Sequence, residues 1–419
     1  MKKVLTVMAM AVVAICLSGN VDAQNREVEF EHSSWKKVLK KAKKQDKLIF
    51  VDCYTSWCGP CKMMAKDVFT QDHVADYFNS NFVNFKVDME KGEGPDLKAG
   101  WKINAYPTFL VINAKGEVIH RVVGAYGADE FIGYIKEAQS EDENFEALNK
   151  AYDAGQRDGE FMFSYLRSLR LANLDKEEAR KAKKYIAELK KEDLLKKENW
   201  NIIKYFMKDP ATDEFRFIVK SRDRFAEVVG EDEIDSKIYN TYSKQIEAYS
   251  YFYPGKGRTY DKEGFDALIK DLQNSNLSRA SELIAIALKN EYSRLNDWNK
   301  YAYVVDAALD LAVLKQYDSE LRYFDSAAST IAKVSKDKEM LQRALRWASY
   351  TAERETRSEH KSGYLATKAK LLDLVGKADE AKSTMMASEK EDKAAEAAGT
   401  KIISVPMMKL GGMKPAKKK

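Results

Sequence analysis

Two cysteines separated by two residues, Cys58 and Cys61, follow a short apolar run in the first quarter of this chain. The run, residues 48–51, has the length and the largely β-favouring composition of a buried strand. Pro60 suits the first turn of a helix, where its missing amide hydrogen breaks no hydrogen bond, so Cys58 is expected at a helix N-terminus. Unpaired amides and the helix dipole favour a thiolate there, and Cys61, one turn further on, is close enough to resolve a mixed disulfide. The pattern predicts a dithiol redox site.

Other uses of these cysteines need comparison. Cys53, Cys58 and Cys61 have the spacing of a plant-type iron–sulfur site, which needs a fourth cysteine. The remaining one, Cys16, lies in a segment that we expect to be removed. A zinc site needs further ligands at a suitable spacing. The four histidines stand singly: His32, His73, His120 and His360. A fixed structural disulfide is the third alternative, and redox chemistry is favoured over it because a tryptophan precedes the pair and Gly-Pro separates it. Cys53, inside the predicted strand, is interpreted as an inert core residue.

Residues 52–62 (DCYTSWCGPCK) resemble the active-site signature of the thioredoxin family, and residues 105–109 (AYPTF) resemble the family's cis-proline loop. The resemblance extends over about residues 28–139, and residues 81–88 are similar to the periplasmic thioredoxin-like domain of thiol:disulfide interchange reductases. The helix after the cysteines lacks the proline that bends it in ordinary thioredoxins. The resemblance implies an α/β thioredoxin fold for residues 24–140 and protein-disulfide oxidoreductase activity.

The resemblance also implies roles for individual residues. Cys58 attacks the substrate disulfide and Cys61 resolves the mixed disulfide. Lys86 is the charged neighbour of a buried carboxylate at position 52, and Pro107 is cis and faces the dithiol. Trp57, which directly precedes the first cysteine, belongs to the same site. We predict no cofactor and no metal.

Asp52 has two interpretations when its neighbours alone are considered. A carboxylate late in an apolar strand can lie at an exposed strand end and bind the following turn. Yet Asp52 stands six residues before Cys58, as in the family, and both of its flanks are apolar. Burial would raise its pKa and make it a usable proton acceptor near neutral pH. The favoured interpretation is a relay for the Cys61 proton.

Residues 1–23 have the features of a secretory signal peptide. Lys2 and Lys3 form a basic start, residues 4–17 an apolar core, and residues 21–23 a small-residue cleavage site. The apolar run is short for a membrane span, which disfavours an uncleaved anchor. We therefore predict an exported protein in the periplasm of a Gram-negative envelope, with no integral membrane segment after cleavage.

Patterning divides the rest of the chain into three regions. Residues 24–140 alternate strand and helix signals in the thioredoxin order, beginning with a short edge strand at residues 28–30. Helical faces follow at residues 35–42 and 74–78, and residues 128–138 form a closing helix. Residues 141–400 lose the strand signals and show helical stripes. Some stripes, such as the one with Val304, Ala308 and Leu311, resemble tetratricopeptide units. We therefore predict an all-α, helical-hairpin domain with degenerate repeats. Residues 401–419 contain six lysines and no acidic residue, which predicts a basic disordered tail.

Two functions are consistent with this organisation. The first is an exported thiol:disulfide oxidoreductase that reduces or isomerises disulfides of envelope proteins, with disulfide-bonded proteins as substrates and an external thiol as electron donor. The second is an interaction protein whose helical domain binds a protein partner. Gly-Pro between the cysteines resembles reducing thioredoxins, whereas an exported location favours oxidation. The 70 basic and 65 acidic residues balance, so nucleic acid is not an expected partner.

Overall fold

The computed structural model describes residues 26–250 and 259–400. The predicted signal peptide, residues 1–23, and the predicted basic tail, residues 401–419, lie outside the described residues. The chain divides into two compact units, Met1–Met207 and Lys208–Lys419. The predicted boundary after residue 140 falls inside the first unit.

The first unit is built on a four-stranded sheet with the strand order β2-β1-β3-β4. The strands are β1 (Leu48–Tyr54), β2 (Phe82–Asp88), β3 (Thr108–Ile112) and β4 (Val118–Val123). β1 runs parallel to β2 and antiparallel to β3, and β3 runs antiparallel to β4. The parallel pair needs a long crossover, which the helices between β1 and β2 supply. The predicted α/β order is confirmed.

Side chains alternate along β1 between the two faces of the sheet. Phe50 packs in a cluster with Phe109 of β3 on one face. Val51 and Cys53 belong to a second buried cluster on the other face. Asp52 shares its face with Phe50 because the two residues are two apart. The strand therefore presents its carboxylate and its cysteine in opposite directions.

Helices complete the thioredoxin-like part of the first unit. They are α1 (Trp35–Gln45), α2 (Gly59–Met63), α3 (Asp72–Asn81), α4 (Gly94–Gly100) and α5 (Ala128–Lys136). A π-helical turn, Met64–Val68, continues α2 at the place where the thioredoxin proline is absent. The predictions of α1, α3 and α5 are confirmed. α4 was not predicted, since seven residues that begin with Gly-Pro give little periodic signal.

Residues 26–31 form an arm beside β2 in place of the edge strand expected for residues 28–30. Glu31 makes an isolated bridge to Phe85 of β2. The Phe69 carbonyl, which accepts a hydrogen bond from the Val28 amide at 2.9 Å, and side chains of α3 hold the rest of the arm. The Glu29 amide donates to Asn79 Oδ1 at 2.9 Å, and the Arg26 amide donates to Asp72 Oδ1 at 2.8 Å. These bonds replace a regular strand ladder, so the expected strand is wrong.

Five further helices belong to the described part of the first unit. They are α6 (Phe145–Asp153), α7 (Gly159–Leu171), α8 (Asp175–Glu188), α9 (Lys191–Leu194) and α10 (Lys197–Phe206). α6 and α7 pack against β4. His120 of β4 is buried there, and its Nδ1 accepts a hydrogen bond from the Phe145 amide at 3.3 Å. Arg167 of α7 pairs with Glu137 at 2.5 Å. The first helices after the thioredoxin-like part therefore cover an edge strand of the sheet.

The second unit is all-helical over residues 208–250 and 259–400. Its helices are α11 (Asp213–Lys220), α12 (Arg222–Val229), α13 (Glu231–Ser250), α14 (Lys262–Gln273), α15 (Ala280–Arg294), α16 (Trp298–Asp310), α17 (Tyr317–Val334), α18 (Lys338–Arg354), α19 (Ser358–Leu374) and α20 (Ala378–Ala397). Tyr301, Phe324 and Trp347 lie in a buried core cluster of this unit. The helical prediction is confirmed, and the tetratricopeptide resemblance stays a prediction. Leu311, expected inside a repeat, is exposed. In the described ranges, each helix is too short or too polar to cross a membrane.

Candidate active site

The two cysteines lie at the N-terminus of α2. Cys58 is the N-cap residue and Pro60 lies in the first turn, as predicted. Cys58 and Cys61 form a disulfide with an S–S distance of 2.06 Å. The Cys61 amide donates a hydrogen bond to Cys58 Sγ at 3.1 Å. An amide directed at this sulfur stabilises a thiolate, so the geometry is suited to Cys58 as the attacking cysteine.

Asp52 lies inside the sheet and is only 2% exposed. Its Oδ2 is 3.1 Å from Lys86 Nζ, and the two residues are register partners in the parallel ladder of β1 and β2. Burial raises the pKa of Asp52, while the charge and the hydrogen bond of Lys86 oppose the rise. The interpretation of Asp52 as an exposed strand end is wrong. Its role as a proton relay stays a prediction.

Trp57 and Pro107 lie in two loops that meet through aromatic rings. The Trp57 side chain projects outward, with 64% of the residue exposed, and its ring meets Tyr106 edge-on at 5.9 Å between centroids. The Tyr106–Pro107 peptide bond is cis. Trp57 Nε1 donates a hydrogen bond to Glu90 Oε2 at 3.0 Å. The structure thus brings Trp57 beside the loop of Pro107, and the direction in which Pro107 faces stays a prediction.

Cys53 is a free, fully buried thiol. Burial raises the pKa of this thiol well above its usual value, the neighbouring Asp52 carboxylate raises it further, and Arg121 of β4 opposes them. A thiol that stays protonated is a poor nucleophile and a poor metal ligand. Cys53 therefore fits the interpretation of an inert core residue. Among the described residues, no group of three His, Cys, Asp or Glu side chains is arranged to hold a metal ion.

Sequence reasoning missed two neighbours of the predicted site. Glu90 holds the indole of Trp57, and Tyr54 places its ring beside the Lys86 ammonium, with Nζ 4.9 Å from the ring centroid. Tyr54 had a usable signal, because it stands two residues after Asp52 and a strand places such residues on one face. Glu90 had none, since it follows β2 and reaches Trp57 only through the tertiary fold.

Comparison with known proteins identifies the first part of the chain. A family model described as a thioredoxin-like domain matches residues 35–139. Thioredoxin H2 of Arabidopsis thaliana is 34% identical over 110 residues, which cover 26% of this chain and 77% of the relative. Thioredoxin H4 of the same plant is 40% identical over 95 residues, which cover 23% of this chain and 75% of the relative.

A similar solved structure is that of a candidate disulphide-isomerase from Bacteroides thetaiotaomicron. It is 50% identical in sequence and covers 28% of this chain and 98% of its own, with a TM-score of 0.27. The region matched by the family model contains both active-site cysteines and Pro107, and it ends before α6. Each of the two thioredoxins is aligned over three quarters of its length or more. The chain therefore belongs to the thioredoxin family, and its thioredoxin-like part is a protein-disulfide oxidoreductase.

Proposed function

We propose that this protein is an exported oxidoreductase that reduces or isomerises disulfides of envelope proteins. The observation that carries the proposal is the Cys58–Cys61 disulfide at the start of α2, with the Cys61 amide directed at Cys58 Sγ. This arrangement offers a stabilised thiolate at Cys58 and a second thiol within bonding distance. Such a pair can exchange with a substrate disulfide and then close on itself.

The exchange takes place in two balanced steps. The Cys58 thiolate attacks one sulfur of the substrate disulfide, a mixed disulfide forms, and the other substrate sulfur leaves and takes up a proton. Cys61 then gives its proton to Asp52 and attacks Cys58, so that the internal disulfide forms and the remaining substrate sulfur leaves as a thiolate. This thiolate takes up a proton from solvent, and Asp52 releases its proton to solvent. Two electrons pass from the protein to the substrate, and an external thiol donor restores the reduced pair.

The residues around Cys58 support the reducing direction. Gly59 and Pro60 bring no charged or imidazole side chain that would stabilise the thiolate further. Asp52, when ionised, opposes a second negative charge nearby. Both effects favour the disulfide over the dithiol, which makes the dithiol a better reductant. We therefore propose a potential nearer to about −270 mV than to about −120 mV, the values of thioredoxin and of a strong oxidant.

The compartment is part of the same proposal. Residues 1–23 carry a basic start, an apolar core and a small-residue cleavage site, which support export. In an oxidising compartment, disulfide-bonded proteins are abundant substrates, and a reducing dithiol needs a dedicated donor. The helical-hairpin pattern of residues 141–400 is the basis for proposing that this region binds a protein partner.

The full chain supplies the test. With dithiothreitol as donor, it should accelerate the reduction of insulin, and Cys58→Ser should abolish the acceleration. Cys53→Ala is the matched control and should keep the activity, because Cys53 is buried on the other face of the sheet. Absence of reductase activity in the native protein would overturn the proposal and favour the interaction protein.

Two further measurements define the partner and the direction. Cys61→Ser should trap mixed disulfides with envelope proteins, because the resolving thiol is missing, and mass spectrometry would identify them. Equilibration with glutathione buffers, followed by quantification of free Cys58, gives the reduction potential. A value near the oxidant end would make the protein a disulfide-forming catalyst instead.

A further inference from the structure

The Lys86 ammonium lies among three aromatic rings. Its Nζ is 4.9 Å from the centroid of Tyr54, 5.4 Å from that of Phe30 and 6.0 Å from that of Phe69. The rings come from β1, from the arm and from the residue that follows the π-helical turn. The Lys86 side chain is 22% exposed, so these rings replace much of its hydration. A cation beside an aromatic face is attracted by the ring, and more strongly where water is excluded.

The strand pattern explains the place of Tyr54 in this group. Asp52 and Tyr54 are two residues apart on β1 and share one face of the sheet. Asp52 is the register partner of Lys86, and Tyr54 is the partner of the second residue after Lys86. Tyr54 is therefore a diagonal neighbour of Lys86, close enough for an aromatic ring to reach it.

Tyr54 also differs from the other two rings in its surroundings. Phe30 and Phe69 pack edge-on against each other at 5.5 Å, and both contact Phe50 in the core. Tyr54 is half-buried at the end of β1. Its replacement therefore tests the contact with the cation with less disturbance of the core.

Lys86 is the group that acts most directly on the Asp52 carboxylate. From β2, its charge and its hydrogen bond lower the pKa of Asp52 against the effect of burial. On β1, Cys53 points to the other face and stays protonated, and Arg121 of β4 acts on Cys53. β3 places a phenylalanine opposite Asp52. The cysteines of α2 do not titrate while they form the disulfide.

We propose that Tyr54 is a positioning residue of the redox site: its ring holds the Lys86 ammonium against Asp52 and so stabilises the ionised carboxylate. Tyr54 acts through Lys86. Without the ring, the partly exposed Lys86 side chain turns toward water, and Asp52 keeps its proton to a higher pH. The consequence for catalysis rests on the proposed function, in which Asp52 accepts the Cys61 proton. The effect of Tyr54 on the ionisation of Asp52 does not depend on the proposed function.

The test is a titration of the Asp52 carboxyl in the oxidised full chain by carbon-13 NMR. Asp52→Asn identifies the signal. Tyr54→Leu removes the ring and keeps an apolar side chain, whereas Tyr54→Phe keeps the ring and removes only the hydroxyl. Lys86→Met removes the cation and should give the largest shift of the Asp52 titration midpoint. Circular dichroism checks that each variant folds, and Tyr54→Val replaces Tyr54→Leu if the latter does not.

We expect Tyr54→Leu to move the titration midpoint of Asp52 to higher pH, in the direction of Lys86→Met and by a smaller amount. The ratio of ionised to protonated Asp52 at a given pH should fall roughly two- to five-fold, the equivalent of one cation–π contact. In Tyr54→Phe, the titration midpoint of Asp52 should equal that of the native protein.

Equal midpoints for Tyr54→Leu and the native protein would overturn the inference. A full shift in Tyr54→Phe would do the same, because the effect would then belong to the hydroxyl. If the native protein fails to reduce insulin, the proposed function fails, while the titration still decides the role of Tyr54. In an active protein, the acid limb of the pH–rate profile should move to higher pH in Tyr54→Leu and stay in place in Tyr54→Phe.

Discussion

Asp52→Asn should make the oxidised protein more stable at neutral pH. Asp52 is buried in β1, and burial raises its pKa although Lys86 opposes the rise. Because the folded-state pKa lies above the unfolded-state value of 3.8, the folded state holds this proton more tightly. The stability that the protonated carboxyl contributes is fully present below pH 3.8 and is lost as the pH rises through the folded-state pKa.

The magnitude follows from one proton. A proton held by the folded state and not by the unfolded state gives a slope of about 1.4 kcal/mol per pH unit. The native protein should therefore lose stability relative to Asp52→Asn with at most this slope, until Asp52 is ionised in the folded state. The variant leaves Lys86 without its carboxylate. Since the Lys86 side chain is 22% exposed, the stability lost by leaving it unpaired should stay below the roughly 3–5 kcal/mol found when a fully buried charge loses its partner.

The free thiol of Cys53 provides the assay, because it is buried in β1 and reacts only when the sheet opens. Oxidised protein is equilibrated in urea at a series of pH values and then given a short alkylation pulse at one fixed pH. Mass spectrometry of the labelled fraction gives the free energy of unfolding around β1. Asp67→Asn, at an exposed position in the same unit, is the control and should change that free energy by less than about 0.5 kcal/mol.

Two results would refute the reasoning. One is a stability difference between the native protein and Asp52→Asn that does not change with pH. The other is a variant that is less stable than the native protein at every pH, since the unpaired Lys86 would then outweigh the removed carboxylate.

In the reduced protein, iodoacetamide should modify Cys58 before Cys61 near pH 7, because helix amides favour the Cys58 thiolate; faster labelling of Cys61 in peptide maps would reverse the assignment. Glu90→Leu should release Trp57 and lower kcat/KM for protein disulfides by roughly two- to ten-fold, whereas Glu90→Gln keeps an acceptor and should recover most of it. An equal loss of kcat/KM in Glu90→Leu and Glu90→Gln would show that the charge of Glu90, and not its hydrogen bond to Trp57, is responsible. Burial lowers the pKa of His120 to about 4, so its stability contribution, present above pH 6.5, should be lost as the pH falls toward 4. In urea unfolding, the free energy of unfolding of His120→Gln should fall less on acidification than that of the native protein. An equal fall in both proteins would show that His120 is not the cause.

The parts of the fold that depend on neighbouring residues could be predicted from the sequence. The apolar run that becomes β1 and the proline that begins α2 are local signals, and they are sufficient to place Cys58 at a helix N-terminus. The long helices of the second unit have apolar stripes such as Ile234, Ile238 and Tyr242, all of which are buried. Local propensity and tertiary packing agree at these positions.

The parts that depend on distant partners could not be predicted from the sequence. The arm is held by Asn79 and Asp72 of α3, which lie some fifty residues further along the chain. Asp52 kept two interpretations until the register placed it opposite Lys86. No short pattern encodes which strands pair or in what register, because those choices come from burying both faces of the sheet at once.

The alternation of β1 has a consequence for thiol chemistry. Asp52 and Cys53 are adjacent in sequence, yet the carboxylate lies opposite Lys86 and the free thiol lies in the core of the other face. A slip of one residue in strand pairing would exchange them. Cys53 would then lie on the face of the proton relay, and a charged carboxylate would lie in an apolar core without its cation. Strand register, a property of the backbone, thus determines which thiols of this chain are kept apart from disulfide exchange.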